Sequence, residues 1–469
     1  MELIPQLTQI LGAAHVLTGA DTDGYSHDWM RVYTFTPMAV VRPRSTAEVS
    51  AVVKACVAAG VAMVPVSGNS GLAGGTVAEG AVMISMERMN RIVEVRRGAK
   101  VAIVEAGVIL SNLHAAVEAE GLVFPLTFGA RGTALIGGAL STNAGGSNVV
   151  RYGSTRGMCL GLEVVLPSGE VLNLMSELHK DNSGYDLKDL FIGAEGTLGL
   201  ITGAVLRLSP QPQAYGTAMV AVPDLDAALD LLNRLQTATG GAVEAFEYMP
   251  RSYMEGYRAT FPGKRTPFDR DHDIAIMVEV GATAPRDTVA LEDGTVPLVS
   301  FLEDTLAAMF EEGLVVDAEV AQSDGQRIEM WERREAAAEV SVHGGPVVNN
   351  DVALPLDKVA DFLDMAGTRV RAIDPDAGIS GVGHLGDGNI HYTVTPSAMT
   401  PEIKDAIMEA VEDVVLELRG SFSAEHGIGV SKKPQMARRK DPVAVATMRA
   451  IKAAMDPHGL MNPGKVLPD

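Results

Sequence analysis

The chain has 469 residues, 47% of them hydrophobic and 21% charged, so a globular protein of two or three domains is expected. Its formal net charge of −21 disfavours nucleic-acid binding and electrostatic docking to anionic lipid. No apolar run approaches the roughly 20 residues of a membrane-spanning helix, and the N-terminus lacks the pattern of a signal peptide.

The first part of the chain alternates helical and strand patterns. Helical apolar spacing over residues 47–60 and 109–120 predicts two helices, each ended by a glycine. Alternating or apolar runs predict four short strands, at residues 61–66, 82–86, 92–95 and 101–104. A hairpin is expected where two further strands, 162–166 and 171–174, flank Pro167, Ser168 and Gly169.

A domain boundary is predicted where Pro210 and Pro212 interrupt the pattern. After it, a strand at 217–222 and a helix at 225–236 indicate an α+β domain. The tail contains a helix and then the sequence Asn-Pro-Gly-Lys at 462–465. The expected domains are residues 1–210, 211–430 and 431–469.

Three glycine-rich loops stand out, at residues 65–75, 137–146 and 193–199. Each alone is typical of a tight turn, but glycine also lets several backbone N–H groups converge on phosphate oxygens. Three such loops in one α/β half favour a large phosphorylated cofactor. The fingerprints of a Rossmann dinucleotide site and of a P-loop are missing, which disfavours both classes.

The segment Gly383–Val394 carries two histidines around a turn. Asp387-Gly388 predicts a two-residue type I′ hairpin, which would pair His384 directly with His391 on one face. Their Cβ atoms would then lie about 4.5–5.5 Å apart and could chelate a borderline divalent ion. Asn389 falls on the face of His391. The alternative is a hairpin with two incidental histidines, an unusual coincidence among ten histidines in all.

Two further segments carry candidate side chains. In Ser423–Gly429, Glu425 would complete a site of two histidines and one carboxylate, and His426 would serve as a base, although Glu-His-Gly alone is equally typical of a polar turn. The segment Met330–Glu339 is a strong helix former. Its Arg334 would suit a carboxylate as a bidentate fork, or would be a surface arginine paired with glutamates at helical spacing.

Together these motifs resemble one family over nearly the whole chain. The glycine loops resemble the FAD-binding domain of the vanillyl-alcohol-oxidase type, and the C-terminal motifs resemble its branch of D-lactate and D-2-hydroxyglutarate dehydrogenases. The resemblance implies an α+β fold, with a two-part FAD-binding domain, an α+β substrate (cap) domain and a C-terminal segment that returns to the flavin. The first loop carries Asn69 and Ser70 and no histidine, so non-covalent FAD is expected.

The resemblance also implies site residues. The metal ligands would be His384, His391 and Glu425, with Zn²⁺ favoured and Mn²⁺ or Fe²⁺ open, and His426 would be the catalytic base. Arg334, Asn389 and His384 would bind substrate. The residues expected to bind FAD are Pro65, Ser67, Gly68, Asn69, Ser70, Gly71, Leu72, Pro125, Gly138, Ser141, Thr142, Asn143, Gly145, Gly146, Gly153, Glu195, Gly196, Gly199 and Asn462.

The sequence departs from the hydroxyglutarate branch at two positions. Ala338 and Asn349 stand where that branch is expected to carry a threonine and a lysine that hold a second carboxylate. The expected substrate is therefore a D-lactate-like monocarboxylate, oxidised to the 2-oxo acid by hydride transfer to flavin N5. The alternatives are a dicarboxylate dehydrogenase on the same scaffold and, from another class, a non-catalytic metal- or nucleotide-binding protein.

Partners and location are less constrained. The external electron acceptor could be an electron-transfer flavoprotein, a quinone or a cytochrome. A homodimer is also compatible with the sequence. The only cysteines, Cys56 and Cys159, do not make a disulfide framework, so a cytoplasmic location is expected.

Overall fold

The computed structural model describes residues 2–343 and 345–469. Its contacts divide the chain into two units. The first comprises Met1–Gly145, Gly153–Gln211 and Glu425–Asp469; the second comprises Gly146–Tyr152 and Pro212–Ala424.

The main division lies beside the two prolines, but residues 146–152 and 425–430 join the opposite unit from the one expected. Hydrogen bonds explain both differences. Arg151 and Tyr152 donate to Glu244 in the second unit, at 2.6 and 2.8 Å. The N–H of Ile428 donates to the Glu195 carboxylate in the first unit, at 2.7 Å.

The first unit contains three small sheets. The strands are β1 (Val16–Leu17), β2 (Ala39–Val41), β3 (Met63–Val66), β4 (Val82–Ser85), β5 (Ile92–Arg96), β6 (Val101–Glu105), β7 (Leu122–Val123), β8 (Cys159–Val165), β9 (Val171–Leu174), β10 (Leu200–Arg207) and β11 (Ser209–Pro210). One sheet has the order β1-β2-β4-β3, a second β5-β6-β10-β8-β9, and β7 pairs with β11. The strands predicted between residues 61 and 104 and the hairpin at 162–174 are confirmed.

The helices of the first unit pack around these sheets. They are α1 (Leu3–Leu11), α2 (Thr46–Ala59), α3 (Leu110–Glu118), α4 (Ile136–Ser141), α6 (Thr155–Met158), α7 (Lys188–Phe191), α16 (Lys433–Arg439) and α17 (Pro442–Met455). The predicted helix at 47–60 is confirmed as α2. Its N-cap, Ser45, accepts from the Glu48 N–H, and Gly60 ends it in the left-handed conformation.

The second unit is a single seven-stranded sheet with helices on both faces. Its strands are β12 (Ala214–Ala221), β13 (Val243–Pro250), β14 (Ile274–Ala282), β15 (Asp317–Val320), β16 (Val348–Ala353), β17 (Gly378–His384) and β18 (Asn389–Thr395), in the order β15-β12-β14-β13-β17-β18-β16. Its helices are α5 (Val149–Tyr152), α8 (Leu225–Thr239), α9 (Arg251–Thr260), α10 (Pro285–Thr288), α11 (Pro297–Glu311), α12 (Asp324–Glu335), α13 (Ala337–His343), α14 (Val359–Ile373) and α15 (Pro401–Glu417). The helix expected at 330–339 is thus divided between α12 and α13. None of the helices within the described residues is long and apolar enough to cross a membrane.

The two faces of this sheet differ in chemistry because side chains alternate along each strand. One face is apolar and packs against α8, α11, α14 and α15 through buried side chains such as Val278, Phe362 and Val411. The other face packs against α9 and α12 and carries buried acids, Glu247 on β13 and Glu279 on β14.

The hairpin of β17 and β18 has a different register from the predicted one. His384 pairs with Asn389 and Val382 with His391, so the connection has four residues, 385–388. Contacts with two other segments of the protein explain the longer turn. The Gly386 N–H donates to Phe246 O at 3.1 Å, and Gly388 O accepts from the Leu354 N–H at 3.0 Å. The shift is an even number of residues, so both histidines stay on one face.

We expect Gly388→Ala to destabilise the second unit by about 2 kcal/mol or more. Gly388 has φ +81°, and an added Cβ would lie 2.1 Å from the backbone oxygen of Leu354. The matched control is Gly378→Ala in the same hairpin, where the nearest atom would be 3.5 Å away. Chemical denaturation of the two variants measures the effect, and equal midpoints would show that the turn tolerates a side chain.

Candidate active site

The three glycine loops meet in the first unit. A Cβ on Gly196 would lie 2.4 Å from Pro65 Cγ, and one on Gly138 would lie 2.9 Å from Ser67 Cβ. The Glu195 N–H donates to Ser141 O at 2.8 Å. The loops at 65–75, 137–146 and 193–199 therefore approach one another closely enough that side chains at the contact positions would clash.

Polar side chains in these loops hold the loop shape. Asn69 and Asn143 both have left-handed backbone, with φ of 47° and 50°. The Asn69 amide donates to His27 O at 2.9 Å and accepts from Thr76 at 2.7 Å. Asn143 Oδ1 accepts from the Arg156 N–H at 2.9 Å. These side chains therefore hold the backbone of the loops, and their role in binding FAD stays a prediction.

The other predicted FAD residues have varied surroundings. The hydroxyls of Ser141 and Thr142 donate to the carbonyls of Gly137 and Gly138, at 2.7 and 3.1 Å. Gly68 packs against Thr133 O, which a Cβ would approach to 2.1 Å, and Gly199 packs similarly against Val164. The remainder comprise two half-buried loop residues, Ser70 and Gly145, the exposed Gly71 and Leu72, the buried Pro125, Gly153 with φ +77°, and Gly146, which belongs to the second unit.

The C-terminal segment joins these loops through Glu195 and Asn462. The Glu195 carboxylate accepts from the N–H groups of Ile428 and Gly429, at 2.7 and 2.8 Å. Burial raises the pKa of Glu195, against the lowering effect of these hydrogen bonds. Asn462 donates to Glu195 O at 2.8 Å, while its buried Oδ1 has no hydrogen-bond partner within the described residues. An acceptor without a partner beside converging glycine loops fits a site for a large polar cofactor such as FAD.

In the second unit, helix α12 places a stripe of side chains against the sheet. Arg327, Met330, Trp331 and Arg334 recur at the spacing of one helical face. Arg327 donates to both carboxylate oxygens of Glu279, at 2.6 and 2.7 Å. The stripe therefore lies over the row of buried acids.

Arg334 lies in the interior with only 7% of its surface exposed, so it is not a surface arginine. Its Nε donates to Glu247 Oε2 at 2.6 Å. Its Nη2 is buried and has no hydrogen-bond partner among the residues that the structure describes. One side of the guanidinium is thus held by protein, and a buried donor remains for a ligand.

Glu247 is the residue that sequence reasoning missed. Its carboxylate is fully buried, and Oε1 lies 2.9 Å from His384 Nδ1. Burial alone would raise the pKa of Glu247, but the charges of His384 and Arg334 and their hydrogen bonds outweigh it and hold the pKa below its ordinary value. The available signal was a charged residue inside the apolar strand 243–250, since buried acids in strands need partners.

The two histidines of the hairpin lie side by side. Their ring centroids are 5.5 Å apart, edge to face. His391 Nδ1 is 3.7 Å from Asp351 Oδ1, and Asp351 also accepts from the Asn389 amide at 3.0 Å. Each imidazole therefore has a carboxylate on its Nδ1 side, the arrangement that leaves Nε2 to bind a metal in many proteins. Asn389 Oδ1 is buried without a partner in the described part of the chain.

Glu425 and His426 are the first residues of the C-terminal stretch that belongs to the first unit. They follow Ala424, whose N–H donates to Asp351 O at 3.2 Å. Gly427 and Gly429 after them adopt φ of +74° and +50°, a left-handed backbone that glycine adopts without strain. Their role as ligand and base stays a prediction.

Comparison with known proteins identifies the family. Residues 37–175 match the model of an FAD binding domain, and residues 211–466 match that of the FAD linked oxidases, C-terminal domain. Among solved structures, p-cresol methylhydroxylase with substrate bound has a TM-score of 0.76 at 16% identity, covering 100% of this chain and 96% of that one. An alkyldihydroxyacetonephosphate synthase has a TM-score of 0.72 at 17% identity, covering 99% and 86%. The fold is therefore the α+β flavoprotein fold of the vanillyl-alcohol-oxidase type.

Curated relatives narrow the family further. The mitochondrial D-2-hydroxyglutarate dehydrogenase of Bos taurus is 37% identical over 448 residues, 94% of this chain and 79% of that one. The D-2-hydroxyglutarate dehydrogenase of Stutzerimonas stutzeri is 35% identical over 477 residues, 99% and 98% of the two chains. The chain therefore belongs to the FAD-dependent D-2-hydroxy acid dehydrogenases and is an oxidoreductase that acts on a CH–OH donor.

We expect the purified protein to be yellow and to release all its flavin when denatured by acid. The loop at 65–75 contains no histidine, so the side chain that attaches flavin in covalent relatives is missing there. The measurement is flavin absorbance in the supernatant after precipitation of the protein. Flavin that stays in the pellet would contradict non-covalent binding.

Proposed function

We propose that this protein oxidises D-2-hydroxyglutarate, or a closely related D-2-hydroxy dicarboxylate, to the 2-oxo acid. The observation that carries the 2-hydroxy acid chemistry is the buried Arg334, whose Nη2 has no partner in the described residues and whose Nε shares Glu247 with His384. A buried donor that would suit a carboxylate therefore lies near the histidine pair, which supports the proposal. Relatives that carry the name D-2-hydroxyglutarate dehydrogenase at 35–37% identity support the substrate.

The D-lactate-like preference expected from the sequence is less well supported than its alternative, because these relatives are named for a dicarboxylate. The sequence argument required a cation at position 349, but a neutral amide also donates hydrogen bonds to carboxylates. Asn349 Oδ1 accepts from Thr393 at 3.1 Å, so the amide nitrogen is the end of this exposed side chain that would donate to a carboxylate. Asn349 lies on the same strand face as Asp351, and Asp351 is the residue that pairs with His391 in the register.

A monocarboxylate remains the second candidate, favoured by one specific observation. Ala338 on α13 carries no polar group where the hydroxyglutarate branch is expected to place a threonine. A distal carboxylate would therefore have fewer donors than in that branch.

In the proposed reaction, each of the candidate site residues has a separate role. Arg334 binds the substrate's first carboxylate through Nη2, and Asn389 and His384 line the same site. His426 removes the proton of the 2-hydroxyl, while the hydride leaves Cα, so the carbon–oxygen bond becomes a carbonyl. A divalent ion held by His384, His391 and Glu425, with Zn²⁺ favoured and Mn²⁺ or Fe²⁺ open, would supply Lewis acidity, and FAD would accept the hydride.

The reduced enzyme then needs an external oxidant, for which an electron-transfer flavoprotein, a quinone and a cytochrome are the candidate classes. We place the enzyme in the cytoplasm as part of the same proposal, on the basis of its composition and its two separate buried cysteines.

We expect kcat/KM for D-2-hydroxyglutarate to exceed that for D-lactate by about tenfold or more, at matched acceptor concentration. Asn349→Lys should widen the ratio further, because a cation binds the distal carboxylate more strongly than an amide does. Arg251→Ala and Lys358→Ala are the controls, since both cations are exposed and paired with Asp273 and Asp361. A panel with D-lactate, larger neutral D-2-hydroxy acids and D-malate completes the comparison, and a winning monocarboxylate would overturn the proposed substrate.

We expect a chelator to remove activity while FAD stays bound, and Zn²⁺ to restore it. His384→Ala and His391→Ala should each weaken metal binding by about tenfold or more, because each removes one ligand. His458→Ala, at an exposed position, is the control and should match the wild type. Elemental analysis and flavin absorbance are measured together; chelator-resistant activity with no bound metal would contradict the metal site.

A further inference from the structure

We propose that Glu247 is a positioning residue that holds the substrate arginine and a metal ligand with one carboxylate. The proposal rests on the proposed function, because it assigns Arg334 to the substrate and His384 to the metal. Glu247 itself is placed in neither role. It acts through its two partners, and it couples the orientation of one to the orientation of the other.

The geometry assigns one carboxylate oxygen to each partner. Oε2 accepts from Arg334 Nε at 2.6 Å, and Oε1 lies 2.9 Å from His384 Nδ1. The coupling extends to the backbone, because Glu247 and His384 face each other as a register pair between β13 and β17. With no exposed surface on Glu247, water does not compete for either contact.

The consequence for His384 is a defined tautomer. A carboxylate accepts hydrogen bonds only, so when His384 is neutral, as a metal ligand must be, its proton sits on Nδ1. The lone pair is then on Nε2, which is the nitrogen that would bind a metal. Glu247 therefore selects the form of His384 that can ligate.

The consequence for Arg334 is a fixed orientation. With Nε held by Glu247, the guanidinium plane is set and Nη2 is directed to a buried position that lacks a protein partner in the described residues. A planar fork held on one edge is prepared to bind a carboxylate with the other. The negative charge of Glu247 also offsets the buried positive charge of Arg334 before substrate arrives.

A second buried glutamate, Glu279, is held by an arginine as Glu247 is, but it has no histidine contact in the described residues. Glu279 on the adjacent strand β14 is also buried and binds Arg327, which precedes Arg334 by two turns on α12. Its other hydrogen bonds among the described residues come from Thr217 and Trp331. Glu279→Gln therefore removes the same charge from the same sheet face and helix, and serves as the control.

The test compares Glu247→Gln with Glu279→Gln as purified FAD-loaded enzymes. The glutamine amide has an acceptor oxygen at one end and an NH2 donor group at the other, so its two ends cannot accept from Arg334 and His384 separately as the carboxylate does. An NH2 group facing His384 Nδ1 also favours the wrong imidazole tautomer. We expect E247Q to weaken Zn²⁺ binding by about 10–100-fold, measured by titration of the metal-free protein, and to raise KM for the 2-hydroxy acid. E279Q should keep wild-type Zn²⁺ affinity, and both should keep their FAD.

The outcomes separate the proposal from the proposed function. Wild-type Zn²⁺ affinity in E247Q, or an equal loss in E279Q, overturns the positioning role while leaving the activity intact. If E247Q does not fold, the double variant E247Q/R334M removes both buried charges, a change that buried ion pairs often tolerate. Wild-type Zn²⁺ affinity there overturns the proposal equally. If the wild type oxidises no 2-hydroxy acid but E247Q still loses Zn²⁺ affinity, the function fails and the metal-positioning role stands.

Discussion

The fully buried carboxylate of Glu247 is the constraint on which the acid-bearing face of the sheet in the second unit depends. Removing an ion from water costs several kcal/mol unless charged hydrogen-bonding partners replace the solvent. Glu247 meets this requirement with the guanidinium of Arg334 from helix α12, and His384 from strand β17 adds a second hydrogen bond. Helix α12, strand β13 and the hairpin of β17 and β18 are thereby linked through the one carboxylate of Glu247.

The same principle repeats across the sheet. Glu279 is satisfied by Arg327 and Trp331 from α12, and Glu244 by Arg151 and Tyr152 from α5. Each acid lies in an apolar strand, and these partners come from a helix that packs on the sheet. The apolar face of the sheet provides hydrophobic stabilisation by packing against α8, α11, α14 and α15. This stabilisation offsets the cost of burying charged side chains on the opposite face.

The first unit is organised by backbone conformation instead. Four non-glycine residues around the glycine loops adopt the left-handed region: Asn69, Asn143, Glu195 and Asn462. Such conformations cost about 1–3 kcal/mol each and persist only where surrounding contacts hold them. Here the contacts are side-chain hydrogen bonds between loops, including the Glu195 carboxylate that binds two backbone N–H groups of the C-terminal segment. The backbone of these loops is thus held in place by contacts between residues that are distant in sequence.

Local patterns determined much of this protein by themselves: the capped helix α2, the short strands of the first unit, the three glycine loops and the histidines of the hairpin are all visible within a few residues of sequence. Only the tertiary structure decided the hairpin register, because Phe246 and Leu354 take the backbone groups that a two-residue turn would have left unpaired. It also decided the state of Arg334, whose partner lies 87 residues away in the chain. Hydrogen bonds between distant strands leave no periodic signal, so Glu247 acquires its role only when β13, β17 and α12 pack together.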